Sequence, residues 1–172
     1  MNKYKEIHEI LKQHEISVKF LKRKLQEIQA NSLDKIAAEK SKAAYNMISM
    51  PVLVEDDGLF INGLKGFPGP YSSFVFSSIG NEGILKLLSG SRKREACFLS
   101  ILVYNDGREL KRFFGKTEGR ISLQPSGHGW GYDPIFVPID SDLTFGESRT
   151  LKMQYSHRAK AVSSFVNWYL DI

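Results

Sequence analysis

The sequence predicts an α/β fold built on a mixed β-sheet, and three features predict it. Helical and strand-like periodicities alternate along the chain instead of segregating into blocks. The turn signal Asn105-Asp106-Gly107 joins two strand-like runs into a hairpin. A hairpin is antiparallel, which argues against a purely parallel, doubly wound sheet. The 172 residues suit one domain over 1–172, or one domain folded as two lobes. No repeat, low-complexity stretch or linker divides the chain.

Each element has its own signal. Residues 3–14 carry Ile7, Ile10, Leu11 and His14 at helical spacing, with Asn2 as the N-cap. Ile16, Val18 and Phe20 alternate as a short strand. Ser32 caps a second helix with Leu33, Ile36, Ala37, Ala44 and Met47 along one side, and Met50-Pro51 ends it. Val52-Leu53-Val54 reads as a buried strand, followed by Glu55-Asp56-Asp57-Gly58 and then Leu59-Phe60-Ile61. Gly63 to Pro70 is dense in turn formers and predicts a loop. A short helix is expected over 71–79, and a second from Asn81 with Ile84, Leu85 and Leu88 inward. Strands are expected over 95–104, 109–115, 118–122 and 135–137. Ser156 caps a last helix with Val162, Phe165, Val166 and Tyr169 on its inner face.

Composition bounds the function class only loosely. A net charge of +5 suits polyanionic partners without naming one, and a solvated basic surface would account for it equally. No basic stripe gathers on one face, so nucleic acid is not an expected partner. The one cysteine, Cys97 between Ala96 and Phe98, forms no internal disulfide and reads as a small buried hydrophobe. No apolar run is long enough to span a bilayer, and Met1-Asn2-Lys3-Tyr4 does not resemble a signal peptide. A cytoplasmic location with no membrane partner is the expectation.

Four constellations could carry chemistry. Glu55-Asp56-Asp57 places three mutually repelling carboxylates at the end of a buried strand. That invites a cation, with magnesium the natural hard, oxygen-seeking choice; an acidic turn closed by Gly58 fits the same residues. Gly127-His128-Gly129-Trp130-Gly131-Tyr132-Asp133-Pro134 sets two aromatic rings among three glycines. Trp130 or Tyr132 could stack on a purine base, or both could pack inward. Ser156-His157-Arg158 puts cations at a helix start, where they oppose the macrodipole, so an anionic or acceptor-rich ligand nearby is implied; side chains of His157 and Arg158 pointing into solvent fit the same residues. Asn2 and Lys5, one turn apart, could hold phosphate or simply belong to a surface helix. No zinc-type Cys/His spacing and no Walker-type loop occur.

Together these segments resemble the inosine triphosphate pyrophosphatase family, also called Ham1-like, and most closely its archaeal members. The resemblance is carried by Val52-Leu53-Val54-Glu55-Asp56-Asp57-Gly58-Leu59, Gly66-Phe67-Pro68-Gly69-Pro70-Tyr71-Ser72 and Gly80-Asn81-Glu82-Gly83-Ile84-Leu85. Trp130-Gly131-Tyr132-Asp133-Pro134-Ile135-Phe136 and Ser156-His157-Arg158 complete it. It implies an elongated mixed sheet with flanking helices, two lobes around a nucleotide cleft, and a homodimer. It implies magnesium-dependent hydrolysis of deaminated purine nucleoside triphosphates such as ITP, dITP and XTP. By resemblance, Asp56 is the metal-binding acid and general base, and Glu27 the second metal ligand. Trp130 is the base-stacking aromatic, with Gly131, Tyr132 and Asp133 in its loop. Lys152, His157 and Arg158 surround the purine and read its 6-keto edge. Lys40 or Lys42 contacts phosphate.

Two features depart from the family pattern. The short apolar strand and the Thr/Ser-Gly part of the loop that precede Asn-x-x-Lys in the family are absent before Asn2. Asp57 stands where many members have Ser or Thr, which should weaken triphosphate binding unless Asp57 helps to hold metal. A catalytically impaired nucleotide-binding protein of the same fold is the alternative these departures raise.

Overall fold

The computed structural model describes residues 2–23, 25 and 28–171. Its elements in order are α1 (Asn2–Gln13), α2 (Leu33–Ile48), β1 (Val52–Ile61), β2 (Pro68–Gly69), α3 (Ser72–Leu87), β3 (Glu95–Asn105), β4 (Leu110–Ile121), β5 (Phe136–Pro138), α4 (Arg149–Tyr155) and α5 (His157–Leu170). The strands form one five-stranded open sheet in the order β2-β1-β3-β4-β5. β1 pairs antiparallel with β2, placing Leu59 opposite Gly69. β4 pairs antiparallel with β5, placing Ile121 opposite Phe136. The chain divides into two compact units, and β1, β3 and β4 each contribute residues to both.

The first unit holds the described residues up to Asp57, Ser100–Gly115 and the residues from His157 onward. Ser32 starts α2 as expected: its side chain accepts from Lys35 N, and Ser49 in a left-handed conformation ends the helix. Leu33, Ile36, Ala37, Ala38 and Ala44 are the buried side of α2, whereas Met47 is about half exposed and lies outside that face. Helix α1 buries Ile7, Ile10 and Leu11 and packs on α5, which buries Ala161, Val162, Phe165 and Val166. Ile101, Leu102 and Val103 are buried in succession, so both faces of β3 are covered here. Tyr104, Phe113, Phe165 and Trp168 close the far end, with Lys111 Nζ 4.8 Å from the Trp168 ring centre.

The second unit holds Gly58–Leu99 and Lys116–Ser156. Its core gathers Leu59, Ile61, Val75, Ile84, Leu88, Phe98, Ile121, Ile135, Phe136 and Phe145. The Phe98 and Phe136 rings meet edge to face at 4.7 Å. Arg94 ties the end of α3 to the end of β4 by donating to the carbonyls of Leu88, Ile121 and Ser122.

Several expectations change on folding. Ile16, Val18 and Phe20 form no strand. Their segment is held to α1 by side chains, with Tyr4 Oη donating to the Val18 carbonyl and the Tyr4 and Phe20 rings 5.0 Å apart. The two strands expected over 109–115 and 118–122 are one twelve-residue strand, since Phe113, Gly115 and Thr117 keep the inward alternation through the polar stretch. The acids 55–57 do not follow a strand but lie inside β1. Helix α4 carries too few residues for a periodic signal and is set by its Ser148 cap, which accepts from Leu151 N.

Within the first unit, β4 and α5 approach closely at Gly115. A methyl group there would overlap the His157 carbonyl oxygen and stand 2.6 Å from Ala161 N. Both neighbours are backbone and cannot turn aside. Gly115→Ala should therefore destabilise the protein by about 3 kcal/mol or more, read as a lowered urea midpoint with an unchanged m-value.

Candidate active site

Strand β1 organises the first cluster. Successive side chains on a strand point to opposite faces. Glu55 and Asp57 therefore share one face and Asp56 takes the other. The partners divide in the same way. Glu55 and Asp57 meet α1 and α5, and Asp56 meets Lys40 of α2 at 3.3 Å.

Arg158, at the start of α5, is 1% exposed and faces three carboxylates. Its Nη1 donates to Glu6 Oε2 at 2.6 Å, its Nη2 to Asp57 Oδ2 at 2.8 Å and its Nε to Glu55 Oε1 at 3.1 Å. Ser100 Oγ donates to the same Glu55 oxygen at 2.8 Å. Lys3 pairs with Asp57 and, at 3.1 Å, with Glu55. His157 Nε2 stands 3.3 Å from Asp57 Oδ2. His157 and Arg158 at the start of α5 are thus not turned into solvent but buried against the protein's own acids, where the sequence pattern suggested a ligand.

These contacts set the charge states. Burial would raise Asp57, but Lys3, Arg158 and the His157 hydrogen bond hold its carboxyl well below the usual range. Burial would lower Lys3, and Asp57 with Glu55 reverses this, raising its ammonium above the ordinary value. Asp56 behaves oppositely to Asp57. Burial raises its carboxyl, and Lys40 and Lys3 offset that only in part. His157 is held below its ordinary value by burial, against the pull of Asp57, and is neutral at pH 7. Among the described residues, Glu6, Glu55, Asp56 and Asp57 thus stand against Lys3, Lys40 and Arg158.

The second unit holds a second cluster. Lys152, from α4, is buried and donates to Asp133 Oδ2 at 2.7 Å. Its ammonium lies 4.5 Å from the centre of the half-buried Trp130 ring. Trp130 N donates to the same Asp133 oxygen at 3.2 Å, so one carboxylate fixes both the indole's backbone and the cation over it. Tyr132 is no stacking surface. Its ring lies in the core, and its hydroxyl donates to the Ser72 carbonyl at 2.9 Å. Burial pushes that phenol up.

The structure thus brings Asp56, Asp57, His157 and Arg158 together in one unit, and Trp130, Gly131, Asp133 and Lys152 in the other. Asn2 and Lys5 are exposed on α1, and Asn2 is the first residue of the helix, not its cap. Of the two α2 lysines, Lys40 reaches Asp56, while Lys42 pairs with Glu39 at 2.7 Å. Glu27 lies outside the described residues. Among the described residues, no group of three or more His, Cys, Asp or Glu is arranged to hold a metal ion. Sequence reasoning missed Lys3 and Glu6. Their three-residue separation, on the α1 side that leads into buried Ile7 and Ile10, was the available signal.

The family model described as Ham1 family matches residues 1–168. The chain belongs to the Ham1 family. A Methanopyrus kandleri relative named dITP/XTP pyrophosphatase is 45% identical over 172 residues, covering 98% of this chain and 92% of the relative. A Pyrococcus horikoshii relative of the same name is 44% identical, covering 96% and 90%. A solved structure of a HAM1 protein from Coxiella burnetii superposes with a TM-score of 0.86 at 24% identity, covering 99% and 94% of the two chains. The Staphylococcus aureus Ham1 protein gives 0.80 at 27% identity, covering 99% and 92%. The Ham1 fold is therefore kept over almost the whole chain. No helix among the described residues is long and apolar enough to cross a membrane.

His157 gives a pH signature. It is neutral when folded, whereas the unfolded chain protonates near pH 6.5. Between the folded and unfolded values the unfolded state binds the extra proton, so stability rises with pH there and is lost as pH falls below about 6.5. The slope from this one group reaches at most about 1.4 kcal/mol per pH unit. Thermal melts from pH 8 to pH 5 should show a falling Tm. His157→Gln should flatten that fall, and an equally steep fall in the variant would assign it elsewhere.

Proposed function

We propose that the chain is a magnesium-dependent nucleoside triphosphate pyrophosphohydrolase. It converts deaminated purine nucleotides, ITP, dITP and XTP, to the monophosphate plus pyrophosphate. Its archaeal relatives carry the name dITP/XTP pyrophosphatase at 41–45% identity. The observation that carries the reading is Asp56. It is the one β1 acid turned away from Arg158, and burial raises its carboxyl.

The donor set suits magnesium, because carboxylate oxygens are the hard ligands it prefers. A nearby cation would relieve the cost of burying Asp56, whose carboxyl is raised by burial. Asp56 would hold the ion, with Glu27 as the second ligand that the family resemblance assigns. When bound, magnesium neutralises phosphate oxygens and makes water easier to deprotonate.

The chain's own residues supply the rest. Asp56 takes the proton of the attacking water, and its raised carboxyl makes it a better base than an ordinary aspartate. The water oxygen bonds to the α-phosphorus, and the bond from that phosphorus to the bridging oxygen breaks. The electron pair leaves with pyrophosphate. Lys3 and Lys40 offset phosphate charge. Arg158 orients Glu55, and Arg158 and His157 keep Asp57 charged, so the carboxylate at the family's Ser/Thr position is compensated within the protein.

Trp130 stacks on the base, and Lys152, aimed by Asp133, donates to the 6-keto oxygen. An adenine amino group at that position leaves the donor unpaired, which discriminates strongly. The protein works in the cytoplasm as a homodimer. The apolar side chains exposed on α3, Phe74 at 71% and Ile79 at 43%, offer a surface for that association.

Asp56→Asn should lower pyrophosphate release from ITP about 10²–10⁴-fold with little change in Tm. Wild-type protein should release pyrophosphate from ITP, dITP and XTP much faster than from ATP or GTP, and only with magnesium. Full activity of the variant, or equal turnover of ATP, would overturn the reading.

A further inference from the structure

Helix α3 is two helical pieces joined at Gly80, whose backbone is non-helical at φ 61° and ψ −164°. No side chain would be blocked by contact there, so the glycine serves the backbone turn itself. The break makes Asn81 the first residue of the second piece. Its side-chain nitrogen reaches across the second unit and donates to the Gly131 carbonyl at 3.1 Å. That carbonyl belongs to the peptide following Trp130-Gly131. Two further contacts hold the same stretch to α3. Tyr132 Oη donates to the Ser72 carbonyl, and the Phe76 and Tyr132 rings meet edge to face at 5.3 Å.

The Asn81 amide can face only one way. A flipped amide would set its oxygen against the Gly131 carbonyl. In the orientation present, Asn81 Oδ1 is buried without a hydrogen-bond partner. A buried acceptor left unmade is a cost that proteins rarely accept without a return. The return is the donor: an amide at 81 offers a hydrogen to the loop that a carboxylate of the same size does not.

We propose that Asn81 is a positioning residue for base recognition. Through the carbonyl of the Gly131–Tyr132 peptide it holds the segment that carries Trp130, and hence the angle of the indole beneath Lys152. This rests on the reading that Trp130 and Lys152 receive the purine. The Asn81 side chain donates to the Trp130 loop, so its role is in how well the base is held and not in the phosphate step.

The test uses the full chain in a Trp168→Phe background, so that emission reports Trp130 alone. Asn81→Asp keeps the size and removes the donor; Asn81→Leu does so without adding a charge, should the carboxylate prevent folding. The expected result is a shifted Trp130 emission and weaker ITP binding, read by Trp130 quenching. Weakening of about tenfold is the scale of one lost hydrogen bond. The KM for ITP should rise in step, with kcat within about twofold and Tm close to the parent. Unchanged emission and affinity overturn the proposal, as does a fall in kcat and Tm at unchanged KM. ITP that binds to the parent without pyrophosphate release would sink the enzyme reading alone, and the binding ratio would still decide the role of Asn81.

Discussion

A guanidinium buried among three carboxylates is the constraint around which the first unit is arranged. Arg158 reaches Glu6 on α1, Glu55 and Asp57 on β1, and itself opens α5. Removing one partner from such a set leaves an uncompensated buried charge, which typically costs about 3–5 kcal/mol. The network therefore fixes which residues of two helices and one strand stand together. Because β1 alternates, satisfying Glu55 and Asp57 on one face turns Asp56 to the other. Which acid faces Lys40 instead of Arg158 is selected by the pleat of the strand and the location of Arg158.

The second unit solves a different problem by similar means. A glycine-rich segment must present Trp130 at a fixed angle although glycines permit many. Asp133 binds Trp130 N and Lys152 Nζ with one oxygen, and Tyr132 anchors the segment in the core through Ser72. The aromatic pair thus divides its labour. Tyr132 is spent on packing, and Trp130 keeps its ring half-buried beside a cation.

Much of the fold was legible from local signals. The Ser32 cap, the Asn105-Asp106-Gly107 turn and the break between 71–79 and Asn81 all correspond to structure, because each depends on a few neighbouring residues. The errors came where tertiary contacts override local preference. Acids disfavour strands, yet Glu55, Asp56 and Asp57 lie inside β1 because the cations they need arrive from α1, α2 and α5. Ile16, Val18 and Phe20 alternate like a strand but find a helix instead of a strand to lie against.

The sequence by itself determined the family, through five ordered motifs, and the residue types able to bind a charged nucleotide. Composition and short-range spacing suffice for that, since they report what chemistry is available. Only the tertiary structure decided which partner each member of a motif meets. Lys3 and Lys40 pair with acids of β1, Lys42 pairs with Glu39, Tyr132 packs inward and Trp130 lies beside Lys152, all choices of direction and distance. A linear pattern does not carry them, because side chains far apart in the chain set each other's burial and charge.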